Sequence, residues 1–294
     1  MQKIVPHLWY DKEAKEAATF YVGLFERSKI LSTNVIEGTP SGDAELVTFE
    51  LEGQEFMAIS AGPYFKFNPS ISLMVLCASV EEVNMKWKAL SEKGTELMPL
   101  AAYPFSKWYG WIQDRYGLSW QLLLAEGERT EQKIKINLLF SQDSNGKAEE
   151  ALKYYMKVFK DAEIEALVPY EEGEAHSAKA KIKFASFKLF GIEFSAMDNG
   201  YDADFSFNEA FSLLVNCRDQ QEIDYFWEKL SAVPEAEQCG WLKDKFGVSW
   251  QIVPENMGEL LSNGTKAEIN RVTEAFLKMK KFDIALLEKA RSGI

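Results

Sequence analysis

Few residues in this chain could carry out chemistry. Two histidines, His7 and His176, and three cysteines, Cys77, Cys217 and Cys239, occur in 294 residues. The cysteines show no CxxC spacing, so the pattern encodes neither a thiolate zinc site nor a redox pair. Cys77 and Cys217 each end an apolar run without a nearby histidine, and read as small hydrophobes rather than nucleophiles. His7 stands in "IVPHLWY", where an imidazole that titrates near neutrality serves as a general base, as a polar anchor, or simply as a pocket wall. Glu193 lies in "FGIEFSAM" and alternates against Ile192 and Phe194. It therefore faces away from them, either as a base or cation partner, or toward solvent at a strand end. The sequence holds no GxGxG-like segment, no P-loop and no Ser-His-Asp order in a suitable context.

Two glutamines, Gln121 and Gln251, share a context that is itself informative. Residues 110–123 read "GWIQDRYGLSWQLL" and residues 240–253 read "GWLKDKFGVSWQIV", with seven of fourteen positions identical. Other segments match in the same order: "HLWY" (7–10) with "NLLF" (137–140), "FYVGLF" (20–25) with "YYMKVF" (154–159), Ser60-Ala61 with Ser195-Ala196, and "ISLMVLC" (71–77) with "FSLLVNC" (211–217). The repeat is a domain long, the mark of duplication.

Each copy must position these residues on the same elements. A strand is expected at 3–10 and 133–140, then a helix with apolar spacing at 12–26 and 147–160. Three strands follow, near 28–36, 44–51 and 54–61 in the first copy and near 162–169, 178–185 and 187–196 in the second. Then come "SISLMVLC" with the helix "SVEEVNMKWKALSEKG", matched by "FSLLVNC" with "DQQEIDYFWEKLS". Each copy closes on the "DRYGLSWQ"-type hairpin, whose glycine supplies a positive-φ turn. Alternation puts Trp120 and Leu122 on one face of the last strand, and Gln121 and Leu123 on the other. Trp120 and Trp250 are expected in the core. From about 265, Val272, Ala275, Phe276, Met279 and Phe282 recur at helical spacing, which predicts a helical tail.

Composition sets the outer bounds. With 47% hydrophobic residues the chain has material for packed cores, and its length suits two domains. Lys and Arg total 33 against 45 Asp and Glu, for a net charge of −12. Such a chain repels phosphate backbones, which argues against a nucleic-acid partner. No apolar run reaches membrane-spanning length and no signal-peptide pattern opens the chain, so a cytoplasmic location without membrane association is expected.

The segments "PHLWYDKEAKEAATFYVGLF", "FELEGQEFMAISAGP" and "GWIQDRYGLSWQ" resemble a known family, as do "FSLLVNCRDQQEIDYFWEKL", "GWLKDKFGVSWQIVP" and "VTEAFLKMKKFDIALLEKA". This is the PhnB-like family, also labelled 3-demethylubiquinone-9 3-methyltransferase, of the vicinal-oxygen-chelate (glyoxalase and bleomycin-resistance) superfamily. The resemblance implies an α+β fold of tandem glyoxalase-like domains. Each would be two βαβββ modules in a cupped, mostly antiparallel sheet, with a helical tail behind them. The domains implied are 1–128, 129–262 and the tail 263–294. Because single-domain relatives pair their sheets as dimers, the two halves are expected to pair within this chain, which leaves less need for a homodimer.

Metal-dependent members of that superfamily present four His or Glu ligands from the first and last strands of each module. By the resemblance those positions fall at His7, Ala58, Ser70 and Gln121, and at Asn137, Glu193, Ala210 and Gln251. The full set of ligand-pocket candidates is His7, Trp9, Ala58, Ser60, Ser72 and Gln121, with Asn137, Glu193, Ser212 and Gln251. Neutral amides, serines and alanines grip divalent ions poorly, so neither a metal nor another cofactor is expected. The reading favoured is metal-free binding of a small-molecule ligand. The alternative is a metal-dependent lyase, isomerase or dioxygenase, and a third possibility is an interaction module. Methyl transfer finds no Gly-rich donor turn here. The aromatic stretches 62–70 and 100–111 are expected to cover a pocket or an interface, making the first half the better candidate for an apolar ligand.

Overall fold

The structure, a computed structural model, describes residues 2–125 and 131–293. In the first half, one βαβββ unit comprises β1 (Ile4–Tyr10), α1 (Ala14–Leu24), β2 (Lys29–Thr39), β3 (Gly42–Leu51) and β4 (Gln54–Ser60). The next comprises β5 (Ile71–Cys77), α2 (Val80–Ser91), β6 (Thr95–Tyr103), β7 (Ser106–Gln113) and β8 (Ser119–Leu124). The second half repeats the first unit in full and the second with one strand fewer, against the expectation of two complete βαβββ units. The stretch that forms β6 in the first half is shortened there to a single turn at Pro234–Ala236. Its first unit is β9 (Ile134–Phe140), α3 (Ala148–Val158), β10 (Glu163–Pro169), β11 (Ile182–Leu189) and β12 (Ile192–Asp198). Its second is β13 (Phe211–Cys217), α4 (Gln220–Leu230), β14 (Trp241–Lys243) and β15 (Ser249–Pro254). Beyond the last strand comes α5 (Met257–Ser262), at the end of the expected second domain, and the residues expected as a tail fold as α6 (Lys266–Phe276) and α7 (Ile284–Ser292). The expected boundary between residues 128 and 129 lies outside the described residues.

The units are dealt out between two sheets. One has seven strands in the order β14-β15-β13-β1-β4-β3-β2, and the other eight in the order β10-β11-β12-β9-β5-β8-β7-β6. Each sheet thus joins a unit of the first half to a unit of the second. The seams are antiparallel: β1 with β13, in a register that sets His7 opposite Ser212, and β5 with β9, with Ser72 opposite Asn137. The halves pair within the chain, and every cup is built by both.

One strand expectation shifts. The β11–β12 turn falls at Phe190-Gly191, with φ of 50° and 75°, rather than near 186. Two successive positive φ values suit a tight hairpin turn, and glycine takes the second at little cost. Glu52-Gly53 makes the same turn in the first half. Aligning on that turn moves the repeat by three residues, so Ser60 answers Asp198 and Glu55 answers Glu193. Function agrees with this alignment: Ser60 Oγ accepts the Ala14 N–H at 3.1 Å, and Asp198 Oδ1 accepts the Ala148 N–H at 3.1 Å, each at the start of a helix.

The helices α1 to α4 lie on the faces that the two sheets turn toward the shared core. α1 covers β2, β3 and β4, and its end reaches across to the other sheet, where Phe25 stacks on Trp120 at 5.5 Å. In the second half Phe159 stacks on Trp250 at 5.2 Å. Both tryptophans are fully buried, and one contiguous apolar core runs through both halves. The opposite faces of the sheets point outward as two cups. No helix among the described residues is long and apolar enough to cross a membrane.

Candidate ligand sites in the two cups

The floor of a cup is set by strand register. In the eight-stranded sheet, Ser72 pairs with Asn137 and Asn137 with Ser195, so these three share a face. Gln121 joins them from β8 through its side chain. Gln121 Nε2 donates to Ser72 Oγ at 2.7 Å, Asn137 Nδ2 donates to the same oxygen at 3.5 Å, and Ser195 Oγ donates to Asn137 Oδ1 at 2.8 Å. Tyr109 on β7 donates its hydroxyl to Gln121 Oε1 at 2.7 Å. All five side chains are buried and neutral. The result is a closed network of amides and hydroxyls in which each member satisfies a neighbour.

The seven-stranded cup repeats the plan with substitutions. His7 pairs with Ser212 on one side and Met57 on the other. Gln251 Nε2 donates to Ser212 Oγ at 2.9 Å, as Gln121 does to Ser72. His7 therefore stands where Asn137 stands, and Met57 where Ser195 stands. Cys239 takes the place of Tyr109 before the shared Gly-Trp pair. His7 is 3% exposed, and its Nδ1 has no hydrogen-bond partner. Burial pushes its pKa down to about 3, so the ring is neutral at ordinary pH. Trp241 meets it edge-on at 5.5 Å, and Trp9 meets Trp241 at 5.9 Å.

The candidates named from the sequence separate accordingly. Ser72, Gln121 and Asn137 come together in one cup, and His7, Trp9, Ser212 and Gln251 in the other. Ala58 and Ser60 lie on the opposite, helix-covered face. A shift of one residue from Met57 to Ala58 inverts the side chain's direction. Glu193 is on a floor face, two residues before Ser195, where it pairs with Lys135 Nζ at 2.5 Å. Ser70 and Ala210 each precede a floor serine by two residues. Met57, Ser195, Tyr109 and Trp241 were missed, and the Glu52-Gly53 and Phe190-Gly191 turns were the signal that could have found the first two.

The aromatic stretches divide between the cups. Phe65 packs on Trp9 at 5.2 Å in the seven-stranded cup. Phe105 packs on Tyr109 at 4.9 Å in the eight-stranded one, with Tyr103 stacked behind it at 5.5 Å. Burial pushes the Cys77 and Cys217 thiols up to about 12, which leaves them unreactive.

The donor chemistry can be tested against a divalent ion. Such an ion asks for imidazole, carboxylate or thiolate ligands converging on one point. The eight-stranded floor offers amide and hydroxyl groups already engaged with one another and a Glu193 carboxylate already paired with Lys135. The seven-stranded floor offers one imidazole and the Glu55 carboxylate. Among the described residues no three His, Cys, Asp or Glu side chains gather as a metal would need. These donors do not make up a ligand set for such an ion.

Comparison with known proteins follows the repeat. A family model described as 3-demethylubiquinone-9 3-methyltransferase matches residues 2–123 and again 132–253. No curated protein matches the chain. Among solved structures, the PhnB protein from Bacillus cereus is 43% identical, covering 42% of this chain and 100% of its own, with a TM-score of 0.40. Glyoxalase I from Zea mays matches 88% of this chain and 96% of its own at 11% identity, with a TM-score of 0.54. A protein of Bacillus subtilis assigned provisionally as a dioxygenase matches 97% of this chain and 94% of its own, at 12% identity and a TM-score of 0.53. At these identities the last two establish the fold alone.

Proposed function

Because the chain belongs to the 3-demethylubiquinone-9 3-methyltransferase family in both of its halves, we propose that it binds a small molecule in a cup of its paired sheets and holds it without a metal ion. One observation carries this reading. At the four convergent positions of the eight-stranded floor stand Ser72, Gln121, Asn137 and Ser195, neutral groups joined by hydrogen bonds. Such a floor is no ligand set for an ion, so a molecule bound in a cup of this plan is held by hydrogen bonds and apolar walls instead. The methyl transfer in the family's description gains no support from these residues, since neither half carries a Gly-rich turn suited to a methyl donor. The three free thiols suit a reducing, cytoplasmic setting.

The test is elemental analysis of protein purified without chelator, combined with native mass spectrometry. The expected result is no stoichiometric Zn, Ni, Mn or Fe, and an added mass of a small organic molecule. A full equivalent of one of those metals would overturn the reading in favour of a metal-dependent lyase, isomerase or dioxygenase.

A further inference from the structure

The two cups share a plan, so their differences point to which one has been kept for a ligand. In the eight-stranded cup the Asn137 amide is satisfied by the hydroxyls of Ser72 and Ser195, and Gln121 by that of Tyr109. In the seven-stranded cup Met57 and Cys239 replace Ser195 and Tyr109, so both of those hydroxyls are gone. His7 Nδ1 is left buried and unpartnered. Such an atom costs about 1–3 kcal/mol, a penalty that persists in a native fold for a reason.

The surroundings define what would fit. Val5, Trp9, Met57, Ser212, Leu214 and Gln251 around His7 are uncharged, and Glu55, two residues before Met57 on the same face, has its carboxyl pKa raised by burial. The nearby Lys243 is held by Glu209 at 2.9 Å. In the other cup Glu193, which answers Glu55, is paired with Lys135, the residue that answers Val5. Trp9 and Trp241 are half-buried aromatic walls. Further along the same face, α5 and α6 lie over β2 and β3 and enclose a cleft of about 340 Å³. Its lining is mixed: Ile36, Leu46, Leu261 and Ile269 are apolar, Asn34 and Asn270 are polar, and Glu37 and Lys266 form an ion pair at 2.9 Å. The tail that forms this roof lies beyond the family match, which ends at residue 253.

We infer that the seven-stranded cup is the ligand site and takes a neutral, flat, largely apolar molecule, one of whose polar groups pairs with His7 Nδ1 between the Trp9 and Trp241 walls. This rests on the small-molecule reading above and names the cup, the anchor and the ligand class. His7 and Trp241 come from opposite halves, so neither half holds the site alone.

The chain's two histidines make the test direct. Protein labelled with ¹⁵N-histidine is titrated with 1-naphthol, a neutral flat probe, and with its anionic counterpart 1-naphthoate. The expected result is a saturable shift of the His7 Nδ1 resonance with 1-naphthol, none at His176, and no saturation with 1-naphthoate. By calorimetry, His7→Phe weakens 1-naphthol binding about tenfold, the loss of one hydrogen bond. Met197→Lys, which places a charge on the eight-stranded floor, leaves that affinity within about twofold. Binding that ignores His7→Phe and is lost in Met197→Lys would overturn the choice of cup while sparing the small-molecule reading. Equal binding of 1-naphthoate overturns the ligand class. Failure of both probes overturns this inference, and only a missing added mass in the native spectrum would then reach the reading beneath it.

Discussion

The Tyr21 hydroxyl donates a 2.7 Å hydrogen bond to Asp114 Oδ2 across 93 residues of sequence, from a helix on one sheet to a hairpin on the other. The same carboxylate accepts Trp120 Nε1 at 2.8 Å and the backbone N–H groups of Tyr116 and Leu118. The second half repeats the clamp: Asp244 accepts from Tyr155 at 2.7 Å and from Trp250 Nε1 at 3.0 Å. Burial raises both carboxyl pKa values, and the donated bonds pull them back. This explains why "DRYGLSW" and "DKFGVSW" recur. The aspartate ties the two units of its own half together while each unit completes a sheet with the other half.

Removing one arm of a clamp tests its worth. Tyr21→Phe and Tyr155→Phe are each expected to cost about 1–2 kcal/mol in urea unfolding, and the two losses should add because the clamps share no partner. Asp114→Ala strands four donors and should cost more, about 3 kcal/mol or above.

The exchange of units makes the halves interdependent. Thermal unfolding followed by tryptophan fluorescence and by far-ultraviolet circular dichroism should give one coincident transition. Two separated transitions would show that each half folds alone, against the pairing of β1 with β13 and β5 with β9.

His7 gives a pH signature. Its folded pKa of about 3 lies below the unfolded value of 6.5, so the unfolded chain binds the proton first as pH falls. Its contribution to stability is full above pH 6.5 and declines down to about pH 3. The slope is about 1.4 kcal/mol per pH unit. Denaturant titrations from pH 7 to 4 should show this slope in the wild type relative to His7→Phe, and parallel curves would refute a buried neutral imidazole.

The closed floor should resist simplification. Asn137→Leu leaves the Ser195 hydroxyl without its acceptor and removes a donor to Ser72, for an expected loss of about 2–4 kcal/mol in chemical unfolding. Ser195→Ala removes a donor and its partner's need together only in part, so a smaller loss is expected.

Gly240 fastens the tail. It has a φ of +83°, and a Cβ there would stand 2.5 Å from Phe282 and 3.0 Å from the Ile252 carbonyl oxygen. Its N–H also donates to the Lys280 carbonyl at 2.7 Å. Gly240→Ala should lower stability by about 2 kcal/mol or more and raise protease sensitivity after residue 256, measured by limited proteolysis.

Periodicity and the internal repeat determined most of the secondary structure, the duplication, the buried tryptophans and the placing of Gln121 and Gln251 on the face opposite them, because these depend on neighbours a few residues away. Registers between strands far apart in sequence depend on which edges meet, and no local pattern encodes that. The sequence alone therefore could not set Met57 rather than Ala58 beside His7, or Ser195 rather than Glu193 beside Asn137. It also could not show that each cup draws on both halves: either partner for β1 would bury the same apolar strand, and only the assembled core, with the Asp114 and Asp244 clamps in place, decides between them.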